Sequence, residues 1–434
     1  MTQRITIHWF RRDLRLNDNT ALSAALKGKS PVLPLFIFDT NILDELDRDD
    51  ARVHFIYKQL QHINLILKQK YKSSILIKLG NPLSVIQQLS SEYDIEAVHF
   101  NRDYEPYAIK RDQLLIDFLK EKGIKVESHK DHVLFEAHEV LKKDDSPYTV
   151  YTPYKKQWIK HFEDKTIRIK KIETNRFIQN NFDFPSLNFI GFKESNINVP
   201  DYNLSSIKNY AEERDFPYLN STSFLGPHLR FGTVSIRQII QSLKLEDSTF
   251  LSELIWREFF IQILVHFPHV VTKSFKKQYD RIKWRNNKEE FEKWCYGQTG
   301  YPLVDAGMRQ LNKTGFMHNR VRMVCASFLC KHLLIDWRWG EAYFASKLLD
   351  FELASNNGNW QWSAGTGCDA APYFRIFNPT EQQRKFDPHL MYIRQWVDDF
   401  DTLNYARPIV EHSMARKRAL ETYQEAVKSG IAES

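Results

Sequence analysis

Cysteine, glycine and proline are scarce in this chain, and long apolar runs are missing. Four cysteines in 434 residues (Cys295, Cys325, Cys330, Cys368), none in a Cys-x-x-Cys pair, make no disulfide framework. A reduced, cytoplasmic setting is expected. With 15 Gly and 16 Pro, collagen-like and low-complexity architectures are excluded. No stretch approaches the roughly 18 apolar residues of a membrane span. Met1-Thr-Gln-Arg-Ile-Thr-Ile-His8 lacks the apolar segment of a secretory signal. No membrane partner is therefore expected. The length exceeds one ordinary hydrophobic core, so two domains are expected.

Aromatic residues are plentiful. Phe, Tyr and Trp make up 14% of the chain, and eight of the ten Trp lie between Trp256 and Trp396. Packing alone does not call for tryptophan concentrated in this way. The net charge of +7 is mild, but seven basic residues face one acid between Lys273 and Lys288. Phe275, Tyr279 and Trp284 are interleaved with them, as on a surface that tracks phosphates and stacks bases. On this segment alone a plain solvated basic face is the favoured reading.

Short apolar runs alternate with helical patterns through the first 130 residues. Strands are expected at Arg4–Phe10, Pro31–Asp39, Ser74–Leu79, Glu96–Phe100 and Ile124–Ser128, with helices such as Ala51–Gln69 and Pro106–Lys122 between them. That alternation indicates a parallel, doubly wound, Rossmann-like α/β domain, and continuous apolar strands fit a sheet covered on both faces. Lys165–Asn203 is rich in Asn, Ile and Lys without a clear period, and reads as a long connector. Beyond Tyr202 strand signals vanish, and Asp247–Phe267, Leu303–Asn312 and Asn319–Leu334 are strongly helical. The division expected is an α/β domain at 1–130, a connector at 131–201 and a larger all-α domain at 202–434.

Several motifs favour bland readings. Gly365-Thr-Gly-Cys-Asp-Ala370 fits a dinucleotide fingerprint, but it follows no strand. His129-x-x-His132 with Glu136 and His138 fits no metal template well, and solvated histidines are favoured there. The acidic cluster Asp44–Asp50 reads as a turn before a helix. The helical half carries sharper signals. Glu253, Trp256 and Arg257 share one helix face at i, i+3 and i+4. Leu353-Ala-Ser-Asn-Asn-Gly-Asn-Trp-Gln-Trp362 sets three Asn within four residues beside two Trp at i and i+2. Such groups can bond a heterocycle's edge and cover its face.

These segments, with Trp9-Phe-Arg-Arg-Asp-Leu-Arg-Leu16, Ser223-Phe-Leu-Gly-Pro-His-Leu-Arg-Phe-Gly232, Tyr301-Pro-Leu-Val-Asp-Ala-Gly-Met-Arg309, His318-Asn-Arg-Val-Arg322 and Ala371-Pro-Tyr-Phe-Arg-Ile-Phe-Asn-Pro379, resemble the photolyase/cryptochrome family. The resemblance is closest to the class I cyclobutane pyrimidine dimer photolyases and covers nearly the whole chain. It implies that the all-α domain binds FAD through positions matching Tyr210, Thr222, Ser223, Phe224, Leu225, Asn319, Arg322, Asp350, Glu352 and Asn356. An arginine at the reduced flavin's edge favours its anion, and the neutral amide of Asn356 tolerates both redox forms of the flavin. Thr222 and Ser223 precede a Gly-Pro turn where backbone N–H groups can meet the pyrophosphate.

The resemblance further implies light-driven repair of cyclobutane dimers by electron transfer from excited reduced FAD to a flipped-out dimer. Glu253 would bond the damaged bases, and is expected to help most when burial keeps it protonated. Trp256 and Trp362 would wall the lesion, Met323 would line its pocket, and Arg257, Arg320 and Arg375 would meet DNA. Trp360, Trp337 and Trp284 match a chain of three tryptophans that relays electrons. The partner implied is DNA containing pyrimidine dimers, double- or single-stranded, taken by a monomer associated with the nucleoid. A second, light-harvesting pigment is expected, methenyltetrahydrofolate in preference to deazaflavin, with Glu105 as its acid; the loop Asp39–Asp50 matches neither pattern. The alternatives are a (6-4) photolyase, where a His pair replaces the region of His318-Asn319-Arg320, a cryptochrome-type blue-light photoreceptor, and a non-enzymatic nucleic-acid-binding module. Glu352 and Gly226 depart from the pattern of close relatives.

Overall fold

The computed structural model describes residues 4–219 and 221–428. Contacts divide it into two compact units. One comprises 1–139, 161–202 and 224–244; the other comprises 140–160, 203–223 and 245–434.

In the first unit five strands form one parallel sheet: β1 (Arg4–Phe10), β2 (Val32–Phe38), β3 (Leu76–Leu79), β4 (Asp94–Asn101) and β5 (Lys125–His129), in the order β3-β2-β1-β4-β5. The doubly wound, Rossmann-like expectation holds, with strand boundaries within two residues of those read from the apolar runs. β2 is buried at every position because both sheet faces are covered. Ile5, Ile7 and Trp9 pack on one face with Leu33, Leu35 and Ile37, while Phe10, Val32, Phe36 and Phe38 pack on the other. Helices between the strands start on polar caps. Asn19 accepts from Leu22 N, Asn81 precedes Pro82, and Asp50 of the acidic cluster caps Ala51–Tyr71.

The expected boundaries need correcting. Residues 131–201 are not one connector. Phe177, Leu187, Ile190 and Phe192 are buried in one face of the α/β unit and Ile178 in the other. Val32 N donates to Arg176 O and Ile178 N to Val32 O, so this strap runs against β2. Its apolar residues are irregularly spaced, which is why periodicity did not reveal it. Residues 224–244 also belong to this unit. Arg237 lies 2.9 Å from Asp18 and 2.7 Å from Asp131, and Arg15 lies 2.5 Å from Asp131. Burial alone would raise the Asp131 carboxyl, but the two guanidiniums overcome it and hold it at about 2.

The second unit is helical, as expected beyond Tyr202, and it also takes in most of helix Tyr151–Glu163. Its core gathers Trp294, Trp337 and Trp360 with Phe328, Phe344 and Tyr392. Gly358 lets helix Leu353–Ala364 approach closely: a Cβ there would lie 2.1 Å from the Phe260 ring. Gly365, in the left-handed region at φ +82°, ends that helix. The rejected dinucleotide motif therefore terminates a helix and opens none.

Candidate active site

Helix Ser248–His266 carries Glu253, Trp256 and Arg257, and it packs against helix Leu353–Ala364. Their side chains have different fates. Glu253 Oε1 accepts from Arg214 Nη1 at 2.6 Å, and both remain nearly one-third exposed. The burial expected of Glu253 is not found, and Arg214 was not visible as its partner in the sequence. Arg214 also lies over the Tyr210 ring at 5.4 Å, and Tyr210 packs edge-on against Phe250. Arg257, expected to meet DNA, is engaged within the protein. It pairs with the buried Glu352 at 2.9 Å and is itself 11% exposed. Glu352 thus anchors an arginine.

Trp256 is half-buried and stacks on Tyr151, with centroids 3.5 Å apart and planes 7° apart. One of its faces is already covered by a residue the sequence did not single out. Tyr151 is fixed in turn: its hydroxyl donates to Ser252 O at 2.7 Å and its backbone N–H donates to Asp369 Oδ2 at 3.0 Å. Trp362, the other expected wall, is half-buried and has no ring neighbour among the described residues.

A second set of groups lies on helix Asn319–Ser327 and beside helix Leu353–Ala364, which pack together. Arg322 grips Asp350 with two hydrogen bonds of 2.9 and 3.1 Å and donates Nε to Met317 O at 2.7 Å. Asn356 is buried, and its Nδ2 donates to Glu341 Oε1 at 2.8 Å and to Glu341 O at 3.1 Å. Its Oδ1 accepts nothing among the described residues. Arg320 pairs with Asp215 at 2.6 Å, stacks over Phe386 and lies 3.7 Å from the Met323 sulfur. Asn319 and Arg375 are exposed. Thr222 and Ser223 are half-buried at the end of segment 203–223, and Ser223 O accepts from Asn203 N. Phe224 and Leu225 open helix Leu225–Phe231 in the first unit, so Gly226-Pro227 is its first turn where a loop turn was expected.

His318 caps helix Asn319–Ser327, accepting from Arg320 N at Nδ1. That role requires an unprotonated nitrogen. Burial, then Arg322 and Arg320, hold His318 down at about 4, against 6.5 for the free group. The unfolded chain therefore binds the extra proton first. Stability from this group is complete above pH 6.5 and is lost as pH falls toward 4, by up to ~3 kcal/mol. His318→Asn keeps a capping acceptor, so a plot of unfolding free energy against pH should be flatter in the variant. Equal slopes would refute the assignment.

Trp360 and Trp337 are fully buried, and Trp284 is half-buried at the edge of the same core, edge-on to Tyr423 at 6.0 Å. Trp294 sits 6.1 Å from Trp360, edge to face. The basic segment divides by residue type. Its seven Lys and Arg are exposed, but Tyr279 is buried against Tyr423 and Phe275 packs on Phe267. The aromatics of 273–288 serve the core, leaving a cationic face without a stacking platform. In the first unit, Glu105 is held by Arg12 at 3.1 Å and Arg230 at 3.0 Å.

A parallel α/β unit joined to a helical unit rich in buried tryptophan and paired arginines defines a two-unit, cofactor-binding protein. Residues 6–173 match the family model for DNA photolyase, and residues 250–404 match that for the FAD binding domain of DNA photolyase. The deoxyribodipyrimidine photo-lyase of Vibrio cholerae is 35% identical, over 96% of this chain and 99% of that protein. The Escherichia coli protein of that name is also 35% identical, over 97% and 98%. A bacterial class III photolyase from Agrobacterium tumefaciens superposes with a TM-score of 0.86 at 33% identity, covering 99% of this chain and 98% of that one. This chain belongs to the DNA photolyase family.

Proposed function

We infer that this protein uses light to split cyclobutane pyrimidine dimers in DNA. The observation that carries the reading is the face of helix Ser248–His266, where the partly exposed carboxylate of Glu253 lies one turn from the indole of Trp256. The residues of the helical unit fit FAD. The Oδ1 of the buried residue Asn356 meets no donor among the described residues, while its Nδ2 is pinned on Glu341. An acceptor fixed in this way suits a flavin ring N–H. Arg322, steadied by Asp350 and Met317 O, would place positive charge beside the ring and favour its anion. Thr222, Ser223 and Tyr210 would hold the rest of the cofactor. When bound, reduced FAD supplies a photoexcited one-electron donor.

The chain's own groups do the rest. Glu253, held by Arg214, bonds the edge of a flipped-out pyrimidine and so orients the dimer. Trp256, steadied by Tyr151 and Phe260, is one wall, with Trp362 as the other. Met323 lines the pocket. Arg320, Arg375 and the exposed cations of 273–288 attract the DNA backbone. Trp360, Trp337 and Trp284 relay electrons inward. The indole N–H of Trp337 meets no acceptor among the described residues, which disfavours proton loss that would stall a hop. A methenyltetrahydrofolate antenna on Glu105 lacks comparable support, since Arg12 and Arg230 occupy that carboxylate.

The test is loss of dimers from irradiated oligothymidine, in light and in the dark. Light-dependent loss is expected; cryptochrome-type signalling or (6-4) repair predicts none. Glu253→Gln keeps an acceptor and should repair at least about tenfold faster than Glu253→Ala, the worth of one hydrogen bond of ~1.4 kcal/mol. Equal rates in the two variants would remove Glu253 from dimer recognition.

A further inference from the structure

Three side chains of the first unit converge at the carboxyl ends of β4 and the edge strand β5. His99 and Glu127 are direct partners in the ladder, and His129, two residues beyond Glu127, points to the same face. His99 Nδ1 and His129 Nε2 are 3.2 Å apart, and each is 3.7 Å from Glu127 Oε2. The point equidistant from these three atoms lies about 2.1 Å from each, which is the bond length of zinc to imidazole and close to that to carboxylate.

We propose that His99, Glu127 and His129 form a binding site for a divalent transition-metal ion of the zinc class. A hydrogen bond between the two imidazoles accounts for the 3.2 Å contact, and Lys125 holds Glu127 Oε1, but neither accounts for the position of Glu127 Oε2 between the two rings. Its oxygen is too far from either nitrogen to accept a hydrogen bond, whereas an ion at the centre is shared by all three. The protonation states suit ligation. Burial holds His99 down at about 4 and lowers His129 also, so both imidazoles are neutral with lone pairs available. The hydrogen bond from Lys125, reaching the other carboxylate oxygen, keeps Glu127 low and therefore ionised. Two nitrogens and one carboxylate select zinc or its neighbours over magnesium or calcium, which prefer all-oxygen cages. Three protein ligands leave a position for water, and Glu127, 30% exposed, gives the ion a way in. His8, opposite His99 in the β1–β4 ladder, is fully buried behind the cluster and walls it from below. An ion here would tie the edge strand β5 to β4. In the sequence His129 stands with His132, Glu136 and His138, where solvated histidines are favoured; the ladder gives it different companions.

The experiment uses tag-free, full-length protein stripped with a chelator and titrated with Co²⁺, which reports its coordination through visible absorption. One equivalent should saturate the signal, and Zn²⁺ should displace it. Glu127→Gln and His129→Asn lie on a partly exposed edge strand, and circular dichroism checks that each is folded. Each should weaken binding by at least about tenfold. Zn²⁺ should raise the melting temperature of the parent and not of the variants, because only the parent's folded state binds it. Absence of one-equivalent uptake, or uptake unchanged in both variants, would overturn the site.

Discussion

Asp305→Ala is expected to destabilise the helical unit by about 4 kcal/mol. Asp305 is fully buried and serves as an acceptor hub. Oδ1 accepts from Thr299 N at 2.7 Å and Thr299 Oγ1 at 2.6 Å; Oδ2 accepts from Gly300 N at 3.0 Å and the Tyr405 hydroxyl at 2.6 Å. Alanine leaves four donors without an acceptor in a site where water is excluded. Each such loss is worth ~1–3 kcal/mol, and partial relaxation keeps the total below the sum. The loop cannot relax far. Gly300 has φ +75°, and a Cβ there would sit 2.3 Å from Arg407 backbone. Asp305→Asn keeps the Thr299 bonds but turns its amide hydrogens toward the Gly300 N–H, so about half the loss is expected. Denaturant midpoints of the helical unit measure both. A parent-like midpoint for Asp305→Ala would show that the loop is pinned elsewhere.

Asp305 also shows what the sequence made legible. It lies in Tyr301–Arg309, one of the strings that carry the family resemblance, yet the roles on this string are architectural. Gly307 admits Val321, whose Cγ1 would be 2.4 Å from a Cβ, and Arg309 holds Gly297 O and Asp399. Strands were readable because β2, buried on both faces, is continuously apolar, and β1 carries apolar residues at Ile5, Ile7, Trp9 and Phe10. Helix Ser248–His266 was readable as a helix, and the common face of Glu253 and Trp256 followed from its spacing. What each of those residues touches was not readable. Arg214 on Glu253, Glu352 on Arg257 and Tyr151 on Trp256 lie 39, 95 and 105 positions away in the chain. Pattern within a segment carries no information about which distant group satisfies a charge or covers a ring. The strap at 161–202 and the His99–Glu127–His129 cluster were hidden for the same reason, since each exists only through its neighbours in the sheet. The tryptophan excess was readable as a concentration, and the fold divides it between ring stacking at Trp256 and the buried cluster around Trp360.

Trp360→Phe is expected to slow light-driven reduction of the bound flavin by about 100-fold or more while leaving repair by chemically pre-reduced enzyme unchanged. An indole gives up one electron far more readily than a phenyl ring. A hop whose barrier rises by only ~3 kcal/mol is already about 100 times slower. Phenylalanine keeps the local packing. Trp360 meets Phe344 edge-on at 4.9 Å and lies over Gly340, where a Cβ would be 2.1 Å from its ring. Removing part of the indole from this site costs about 1–2 kcal/mol, too little to unfold the unit. Gly340→Ala perturbs the same ring from the other side, by overpacking worth ~1–3 kcal/mol, and keeps its chemistry, so it should slow reduction less than Trp360→Phe does. Trp294 is the control. It touches Trp360 at 6.1 Å, but its N–H is bonded to Cys325 O and it sits among Phe291, Tyr343 and Phe344, so Trp294→Phe should reduce at the parent rate. Anaerobic illumination with an external thiol, followed by flavin absorbance, measures all three. A parent-like rate in Trp360→Phe together with a slow one in Trp294→Phe would move the relay to Trp294 and leave Trp360 as packing.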